Sequence, residues 1–194
     1  MSSAARSRCT PQAFEQLYRE RADPWDFTTS VYERTRYDRT LAALSGSRYA
    51  FGFEPGCSIG ELTARLAPRC DQLFAIDVSA TAVSRARSRC DAYTNVRIEC
   101  ADVQDPILED RPDLIVLSEI GYYFEPRELA DLALRLGNVL RAGGTLIAVH
   151  WLGESADHRL HGDEVHDLLL QTLTARHDAS ERYDGFRLDR WIRP

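Results

Sequence analysis

The sequence contains no lysine, so its basic side chains are arginines and histidines only. Lysine forms the Schiff base of pyridoxal-phosphate enzymes, and that chemistry is therefore excluded. Lysine is also required in the Gly-Lys-Ser/Thr ending of the Walker A phosphate-binding loop. The chain is thus neither a pyridoxal-phosphate enzyme nor a Walker A nucleotide-binding protein.

Paired cysteines, long apolar segments and excess positive charge are missing as well. The five cysteines are odd in number and show no C-x-x-C spacing, which favours reduced thiols in a cytoplasmic protein. No apolar run reaches the roughly 18 residues of a transmembrane helix, and the first residues lack the apolar region of a signal peptide. The formal net charge of −6 argues against broad binding to nucleic acids or acidic membranes.

The residues that are present suit one soluble domain. The chain has 194 residues, of which 44% are hydrophobic and 28% charged, an ordinary composition for a globular protein with one core. Hydrophobic periodicity predicts helices from Pro11 to Arg21 and from about Val31 to Leu44. Because these helices are too polar to form the core, we predict a single domain over residues 1–194, in which residues 11–45 form a lid over a core of residues 49–194.

The remaining sequence alternates between strand and helix patterns. This alternation is typical of a parallel sheet with helices on both faces. Asp184-Gly185 joins the last two extended segments and predicts an antiparallel hairpin. We therefore predict an α/β, Rossmann-like fold with a mostly parallel seven-stranded sheet and a C-terminal antiparallel hairpin. The predicted strands cover residues 49–53, 73–76, 96–100, 114–117, 145–149, 176–183 and 186–192.

A glycine-containing turn follows the first predicted strand, in the stretch Glu54-Pro-Gly56-Cys57-Ser58-Ile-Gly60-Glu61. Gly56 and Gly60 have no side chain, so a ligand can approach the backbone closely. Ser58 and Glu61 have the spacing of a capping box, which predicts that Ser58 caps the following helix. The glycine spacing differs from the G-x-G-x-x-G of dinucleotide-binding folds. The turn therefore fits neither common phosphate-binding motif.

Three carboxylates and one histidine follow the predicted strands. Asp77 ends the second strand, 21 residues after Gly56, and in nucleotide-binding α/β folds a carboxylate there accepts hydrogen bonds from ribose hydroxyls. Asp102 ends the third strand, Glu119 follows the fourth and His150 ends the fifth. Because ligands bind at the carboxyl ends of parallel strands, these side chains are candidate site residues.

The motif Glu54-x-Gly56-x-x-x-Gly60, with the acidic residues after the next two strands, resembles the class I S-adenosylmethionine-dependent methyltransferases. The resemblance implies S-adenosylmethionine as the cofactor and S-adenosylhomocysteine as its product. It also implies that Asp102 binds the adenine amino group and that Val103 packs on the adenine face. The cofactor-binding residues that it implies in the core are Glu54, Gly56, Cys57, Gly60, Asp77, Val78, Asp102, Val103 and Ser118.

The N-terminal segment carries a more specific resemblance. The patterns Phe14-Glu-x-Leu-Tyr18, Asp23-Pro-Trp25-Asp-Phe27 and Tyr32-Glu33-Arg34-x-Arg36-Tyr37 are similar to the nodulation protein S family. That family implies an N-methyltransferase acting on the free amine of the terminal glucosamine of a deacetylated chitooligosaccharide, a step of Nod factor biosynthesis. It further implies that Trp25, Tyr32 and Arg36 close over the cofactor. Arginine suits the cofactor's carboxylate, and aromatic faces suit its sulfonium.

Methyl transfer to an amine needs a neutral nitrogen, so a proton acceptor near the site is useful. Glu119 and His150 are both candidates for this catalytic role. The polar segment containing His158, His161 and His166 lacks the spacing of a zinc site. We predict that it forms a sugar-binding rim or a solvated lid, and we predict no metal. The candidates for stacking on sugar rings are Tyr122, Tyr123 and Trp151.

Two alternatives stay open at this point. An enzyme of the same fold can methylate another small molecule on oxygen or nitrogen, since the cofactor supplies the reactive group. A non-catalytic module that only binds the cofactor would carry the same glycine turn and carboxylates. In each case we expect a small-molecule ligand, and neither a nucleic acid nor a membrane as partner. The sequence does not determine whether the protein is a monomer.

Overall fold

A computed structural model describes residues 9–105, 108 and 110–194. The first residues, on which the expectation about a signal peptide rests, lie outside the described residues. Contacts divide the chain into two compact units, Thr10–Ile107 and Leu108–Pro194 with Met1–Cys9, which we call the N-terminal unit and the C-terminal unit. All seven predicted strands are present and belong to one mixed sheet, which confirms the predicted α/β fold class.

The N-terminal unit contains four α-helices and three parallel strands in its described part. In chain order they are α1 (Pro11–Glu20), α2 (Val31–Ala42), β1 (Tyr49–Pro55), α3 (Glu61–Leu66), β2 (Cys70–Asp77), α4 (Ala80–Arg89) and β3 (Val96–Cys100). β2 pairs in parallel with both β1 and β3, with Glu54 opposite Ala75 and Asp77 opposite Cys100. The carboxyl ends of the three strands therefore meet at one edge of this unit.

Local sequence explains β2 and α4. The apolar residues from Leu73 to Ile76 are all buried, as expected for a strand covered on both faces. Ser79 caps α4 by accepting the N–H of Ala82 on its hydroxyl oxygen over 3.1 Å, a role that short polar side chains favour. Ala82 and Ala86 of α4 are fully buried. Together with Val83, these small side chains form the buried face of this helix.

The C-terminal unit contains four strands and two α-helices in its described part. In chain order they are β4 (Leu114–Ser118), α5 (Pro126–Val139), β5 (Thr145–Trp151), α6 (Gly162–Thr172), β6 (Arg176–Arg182) and β7 (Phe186–Ile192). β4 and β5 pair in parallel, while β7 pairs antiparallel with both β5 and β6. The predicted C-terminal hairpin is thereby confirmed. None of the described helices combines the length and the apolar character that crossing a membrane requires.

The predicted capping of α3 is wrong. Ser58 has a φ of 51°, and the helix begins after Gly60, whose φ is 82° and which acts as the N-cap without a side-chain hydrogen bond. The hydroxyl of Ser58 is instead bonded to the hydroxyl of Tyr18 over 2.6 Å. Three left-handed residues, Gly56, Ser58 and Gly60, shape the turn between strand and helix, so the spacing of Ser58 and Glu61 does not form a capping box. The division into a lid and a core near residue 45 stays a prediction.

Candidate functional site

The glycine turn after β1 is held against the end of β2 by backbone hydrogen bonds. The N–H groups of Gly56 and Cys57 both donate to the carbonyl oxygen of Ile76, each over 2.8 Å. Gly56 has a φ of 77°, a left-handed conformation that glycine adopts without strain. Cys57 is buried in an apolar cluster, and burial raises the pKa of its thiol well above the usual value. Cys57 therefore lines the turn as a small apolar residue rather than as a nucleophile.

Asp77 connects the glycine turn to the start of α4. One carboxylate oxygen accepts the N–H of Ser58 and the other accepts the N–H of Ser79, both over 2.9 Å. Burial raises the pKa of Asp77 to about 6, although these backbone hydrogen bonds oppose the shift. Each carboxylate oxygen keeps a second lone pair. Asp77 can therefore still accept hydrogen bonds from a diol such as ribose.

Glu54, near the end of β1, is a buried carboxyl group. Its Oε2 has no hydrogen-bond partner among the described residues, and only 3% of the residue is exposed. Burial raises the pKa of Glu54 to about 8, and the nearby charge of Asp77 adds to the shift. A buried polar atom without a partner is destabilising. A ligand that brings a hydrogen-bond donor or a positive charge to Glu54 would remove this cost.

Gly60 occupies a place where a side chain does not fit. Its φ is 82°, and a Cβ there would lie 3.0 Å from the Cα and Cβ atoms of Ala86 in α4. We expect Gly60→Ala to lower the free energy of unfolding by about 2–4 kcal/mol, because left-handed strain and overpacking add. Gly143→Ala is the matched control, since Gly143 has a φ of 75° and no described atom within 4 Å of its Cβ position. Urea unfolding measures both variants, and equal losses would show that contact with Ala86 contributes nothing.

Asp102 and Val103 form a turn directly after β3. The carboxylate of Asp102 accepts the N–H of Gln104 over 2.9 Å, a local bond that orders the turn. Val103 is buried, and Asp102 and Val78 are half-buried. Parallel pairing of β1, β2 and β3 brings most of the predicted cofactor residues to one edge of the N-terminal unit, namely Glu54, Gly56, Cys57, Gly60, Asp77, Val78, Asp102 and Val103.

A carboxylate that the sequence did not single out attaches α1 to the start of α4. Glu15 accepts hydrogen bonds from the hydroxyl of Ser79 and from the N–H and hydroxyl of Thr81, over 2.7–3.0 Å. These hydrogen bonds lower the pKa of Glu15 to about 2, and the positive end of the helix dipole favours an anion there. In the sequence Glu15 resembles a solvated helix residue, because Arg19 follows it at the spacing of a surface ion pair.

Trp25 and Tyr32, predicted to close over the cofactor, lie before and at the start of α2. The ring of Trp25 stacks on Phe27 with 5.5 Å between centroids and meets Tyr18 edge-on at 5.6 Å. Both Trp25 and Tyr32 are half-buried. Packing alone accounts for the position of Trp25, so its contact with a cofactor stays a prediction.

Arg36, the third of these residues, is buried rather than solvated. Only 1% of it is exposed, and its guanidinium pairs with the carboxylate of Glu33, one turn earlier in α2. The same guanidinium lies 5.0 Å from the centroid of the Tyr37 ring. These contacts hold the charge in one place, as recognition of a carboxylate requires. The contact between Arg36 and the carboxylate of a cofactor stays a prediction.

Glu119 follows β4 in the C-terminal unit, and its two carboxylate oxygens both accept hydrogen bonds. Oε1 accepts the N–H of Trp151 over 2.8 Å, and Oε2 accepts the hydroxyl of Tyr122 over 2.9 Å. Its φ of 62° lies in the left-handed region that residues other than glycine rarely adopt. Such conformations persist where surrounding contacts hold them, and they are enriched at functional sites. Ser118, the preceding residue, is buried at the end of β4.

Three aromatic side chains and a histidine form a cluster next to Glu119. The ring of Tyr122 stacks on His158 with 3.7 Å between centroids. Tyr123 and Trp151 meet the same imidazole edge-on at 5.4 and 5.9 Å. Burial lowers the pKa of His158 to about 4, so this ring is neutral at pH 7. Sequence reasoning missed His158 as a stacking residue, because a histidine in a polar segment gives no indication of an aromatic contact.

His150 is fully buried, which affects the choice between the two candidate bases. Its Nε2 accepts the N–H of Gly121 over 3.0 Å, and its Nδ1 lies 3.2 Å from Nε2 of His166. A neutral imidazole has one lone pair for accepting a proton, and here a backbone donor occupies it. The geometry therefore argues against His150 as the base and leaves Glu119 as the candidate.

The histidines of the polar segment do not share one role, and the prediction of a rim or solvated lid is wrong for His166. His166 is fully buried in α6, and His161 caps that helix by accepting the N–H of Asp163 on Nδ1 over 3.2 Å. Of the three histidines in this segment, only His158 contacts the aromatic residues that were predicted to stack on sugar rings. In the part of the chain that the structure describes, no group of three or more His, Cys, Asp or Glu is arranged to hold a metal ion.

Comparison with known proteins identifies the family. The family model described as Nodulation protein S (NodS) matches residues 10–158. This chain belongs to the nodulation protein S family. The nodulation protein S of Rhizobium tropici is 35% identical over 144 residues, which cover 71% of this chain and 60% of that protein. The chain thus spans less than two thirds of the length of this curated member of the nodulation protein S family.

Two solved structures show the fold. The N-methyltransferase NodS from Bradyrhizobium japonicum WM9, in complex with S-adenosyl-L-homocysteine, matches with a TM-score of 0.83 at 24% identity, over 94% of this chain and 97% of that chain. A putative methyltransferase from Pseudomonas syringae is 37% identical, with a TM-score of 0.71 over 84% of this chain and 100% of that chain. This member of the nodulation protein S family therefore has the class I methyltransferase fold, as the glycine turn and the hairpin predict.

Proposed function

We propose that this chain is an S-adenosylmethionine-dependent N-methyltransferase. Its proposed acceptor is the free amine of the terminal glucosamine of a deacetylated chitooligosaccharide, in the biosynthesis of Nod factors. The observation that carries the proposal is the glycine turn bonded to Asp77, in a chain of the nodulation protein S family. The Bradyrhizobium japonicum N-methyltransferase NodS, which has the same fold, was solved in complex with S-adenosyl-L-homocysteine.

The N-terminal unit suits S-adenosylmethionine through the chemistry of its hydrogen-bonding groups. We assign the ribose hydroxyls to Asp77 and the adenine amino group to Asp102, since both carboxylates accept hydrogen bonds. The cofactor also carries an ammonium, for which the buried and unpartnered Oε2 of Glu54 is a suitable acceptor. The other proposed cofactor contacts are Trp25, Tyr32, Arg36, Gly56, Cys57, Gly60, Val78, Val103 and Ser118.

When bound, S-adenosylmethionine supplies a methyl group activated by a sulfonium. What remains for the protein is to orient the acceptor and to exclude water. We propose that Tyr122, Tyr123 and Trp151 offer apolar faces to the sugar ring, together with His158. Because the pKa of His158 is lowered to about 4, this ring adds no positive charge that would repel a protonated amine.

Glu119 is the proposed proton acceptor for the amine. An ammonium has no lone pair, so the nitrogen must lose a proton before it attacks the methyl group. Two hydrogen bonds, from Trp151 and Tyr122, hold the carboxylate of Glu119 in one orientation. A fixed carboxylate favours transfer of the proton from the amine of the acceptor to Glu119. The net charge of −6 also favours the approach of a substrate that is protonated in solution.

The acceptor is tested by methyl transfer to matched oligosaccharides. With labelled S-adenosylmethionine, we expect transfer to a chitooligosaccharide whose terminal glucosamine is deacetylated. Transfer to the fully acetylated oligomer should not exceed background, because the lone pair of an amide nitrogen is delocalised. The rate on the deacetylated oligomer should rise with pH as the acceptor amine loses its proton. Equal rates on the two oligomers would contradict N-methylation and would favour O-methylation.

The cofactor is tested separately by calorimetric titration with S-adenosylmethionine, with NAD as the control. We expect binding of S-adenosylmethionine only. Binding without transfer to any acceptor would favour a non-catalytic cofactor-binding module.

We further propose that residues 1–194 function as one methyltransferase domain, with residues 11–45 as its lid. Within that lid, the bonds from Glu15 to the start of α4 hold the first helix in place. All five cysteines are free thiols, which supports a reducing, cytoplasmic location. For a protein of this negative charge we propose no nucleic-acid or membrane partner.

A further inference from the structure

Three buried polar side chains of the C-terminal unit form a hydrogen-bonded group. His150 in β5, His166 in α6 and Asp189 in β7 each have 0% of their surface exposed. Nδ1 of His150 lies 3.2 Å from Nε2 of His166, whose Nδ1 lies 2.6 Å from Oδ2 of Asp189. At the other end, Nε2 of His150 is bonded to the N–H of Gly121 over 3.0 Å. We call His150, His166 and Asp189 the histidine network.

The two ends of the histidine network determine where each proton lies. The backbone N–H of Gly121 is always a donor, so Nε2 of His150 must accept and its Nδ1 must carry the proton. That proton is donated to Nε2 of His166, which leaves the proton of His166 on Nδ1, facing Asp189. Both rings are neutral in this arrangement. Burial lowers the pKa of His166, in agreement with a neutral ring.

Asp189 is an ionised acceptor, and its charge is compensated. Nε of Arg187 lies 2.8 Å from Oδ2, and Nε2 of His177 lies 2.9 Å from Oδ1. Although burial acts in the opposite direction, hydrogen bonds from His166, Ser180 and His177 hold the pKa of Asp189 well below its usual range. A carboxylate that remains ionised can only accept a hydrogen bond. It therefore fixes the direction of every donor in the network.

The histidine network lies against the turn that carries Glu119. Gly121 begins the short 3-10 helix Gly121–Tyr123, and a Cβ at Gly121 would lie 2.7 Å from Nε2 of His150. Glu119, two residues earlier, has the left-handed φ of 62°, and its carboxylate accepts the N–H of Trp151. Two consecutive residues of β5, His150 and Trp151, are thus bonded to the two sides of this turn.

We infer that His166 and Asp189 are positioning residues for Glu119. They fix the tautomer of His150, whose Nε2 holds the N–H of Gly121 and so keeps the carboxylate of Glu119 in one orientation. The inference rests on the proposed function, because it requires Glu119 to act on the acceptor. An apolar substitute for the network would leave the N–H of Gly121 buried without a partner, which is destabilising. The turn would then keep the bonds that join Glu119 to Val149 and Trp151 of β5, but it would lose the bond at Gly121.

The tautomers are read directly by nitrogen-15 NMR of the histidine rings in the wild-type protein. We expect protons on Nδ1 of His150 and on Nδ1 of His166, and slow hydrogen exchange at the amide of Gly121. A proton on Nε2 of His150 would overturn the inference. This readout does not depend on methyl transfer. If no chitooligosaccharide is methylated, the proposed function fails, and the NMR result still decides the arrangement of the network.

Two substitutions of His166 separate positioning from packing. Leucine fills the space but bonds to neither neighbour, whereas the amide of glutamine can accept from His150 and donate to Asp189. We expect His166→Leu to lower kcat about 10- to 100-fold, since small displacements of a catalytic group have effects of that size. The KM for S-adenosylmethionine should stay unchanged. His166→Gln should recover most of kcat and restore the slow exchange at Gly121.

Gln171→Leu is the matched control, because Gln171 is exposed on the same helix as His166 and is not a member of the histidine network. Its kcat should equal that of the wild type. A folded His166→Leu protein with wild-type kcat, or a His166→Gln protein that recovers none, would overturn the inference. If His166→Leu does not fold, the tautomers of the wild type are the deciding measurement.

Discussion

Glu119→Gln should lower the turnover of methyl transfer by about 100-fold or more, with little change in the affinity for S-adenosylmethionine. Glutamine removes the proton acceptor and keeps the shape of the side chain. Its amide oxygen can still accept the N–H of Trp151, as Oε1 of Glu119 does. In the wild type the hydroxyl of Tyr122 donates to Oε2 of Glu119. In the variant the amide nitrogen of glutamine can donate to the oxygen of that hydroxyl instead. The turn that carries residue 119 should therefore keep its conformation. The decrease in turnover then measures the contribution of proton transfer to Glu119.

Single-turnover rates on a deacetylated chitooligosaccharide measure this effect, and calorimetry gives the Kd for S-adenosylmethionine. Glu154→Gln is the matched control, because Glu154 is exposed after β5 and should leave both quantities unchanged. If Glu119 only orients the amine, the loss should be smaller and partly recovered at higher pH, where solvent deprotonates the amine. A wild-type rate for Glu119→Gln would remove Glu119 from the mechanism.

Asp77→Ala should raise the Kd for S-adenosylmethionine about 30- to 150-fold. This range corresponds to the loss of about 2–3 kcal/mol from hydrogen bonds to a charged acceptor. Part of the loss has a second cause, because Asp77 also accepts the N–H groups of Ser58 and Ser79. Alanine therefore loosens the glycine turn as well as the contact with ribose. We expect the variant to fold, and circular dichroism checks that it does.

The contribution of Asp77 should depend on pH. Burial raises its pKa from 3.8 to about 6, so the folded protein holds this proton more tightly than the unfolded chain. The corresponding stabilisation is present below about pH 4 and is lost as the pH rises through about 6. Ionised Asp77 is the better acceptor for ribose hydroxyls, so affinity for S-adenosylmethionine should rise from about pH 5 to 7 in the wild type.

The matched control for Asp77→Ala is Asp71→Ala, near the opposite end of β2. Its side chain is 58% exposed and pairs with Arg48 at the surface, so its removal should leave the Kd unchanged. Asp77→Ala should also lose the rise in affinity between about pH 5 and 7. A folded Asp77→Ala protein with the wild-type Kd would exclude Asp77 from the cofactor site.

The fold was predictable because, at most helices and strands, the apolar pattern, the capping residues and the turn residues of the sequence all indicate the same element. The apolar run from Leu73 to Ile76, the cap at Ser79 and the turn Asp184-Gly185 each predict the element that the structure has. The error at Ser58 has a specific cause. The spacing of a capping box says nothing about backbone dihedrals, and Ser58 and Gly60 are both left-handed.

The candidate site was only partly predictable. Glu54, Asp77 and Asp102 could be grouped from the sequence, because parallel pairing brings the carboxyl ends of neighbouring strands together. The histidine network could not, since His150 and His166 are 16 residues apart and His166 and Asp189 are 23 apart, on three different elements. No local pattern encodes such contacts, which depend on how α6 packs on the strands of the C-terminal unit.

The position of the transferred methyl group tests the proposed reaction most directly. The wild-type protein is incubated with S-adenosylmethionine carrying a deuterated methyl group and with a deacetylated chitooligosaccharide, and tandem mass spectrometry locates the label in the product. We predict that the label lies on the nitrogen of the terminal glucosamine. A label on a hydroxyl oxygen, or no product from a protein that binds S-adenosylmethionine, would contradict N-methylation of this amine.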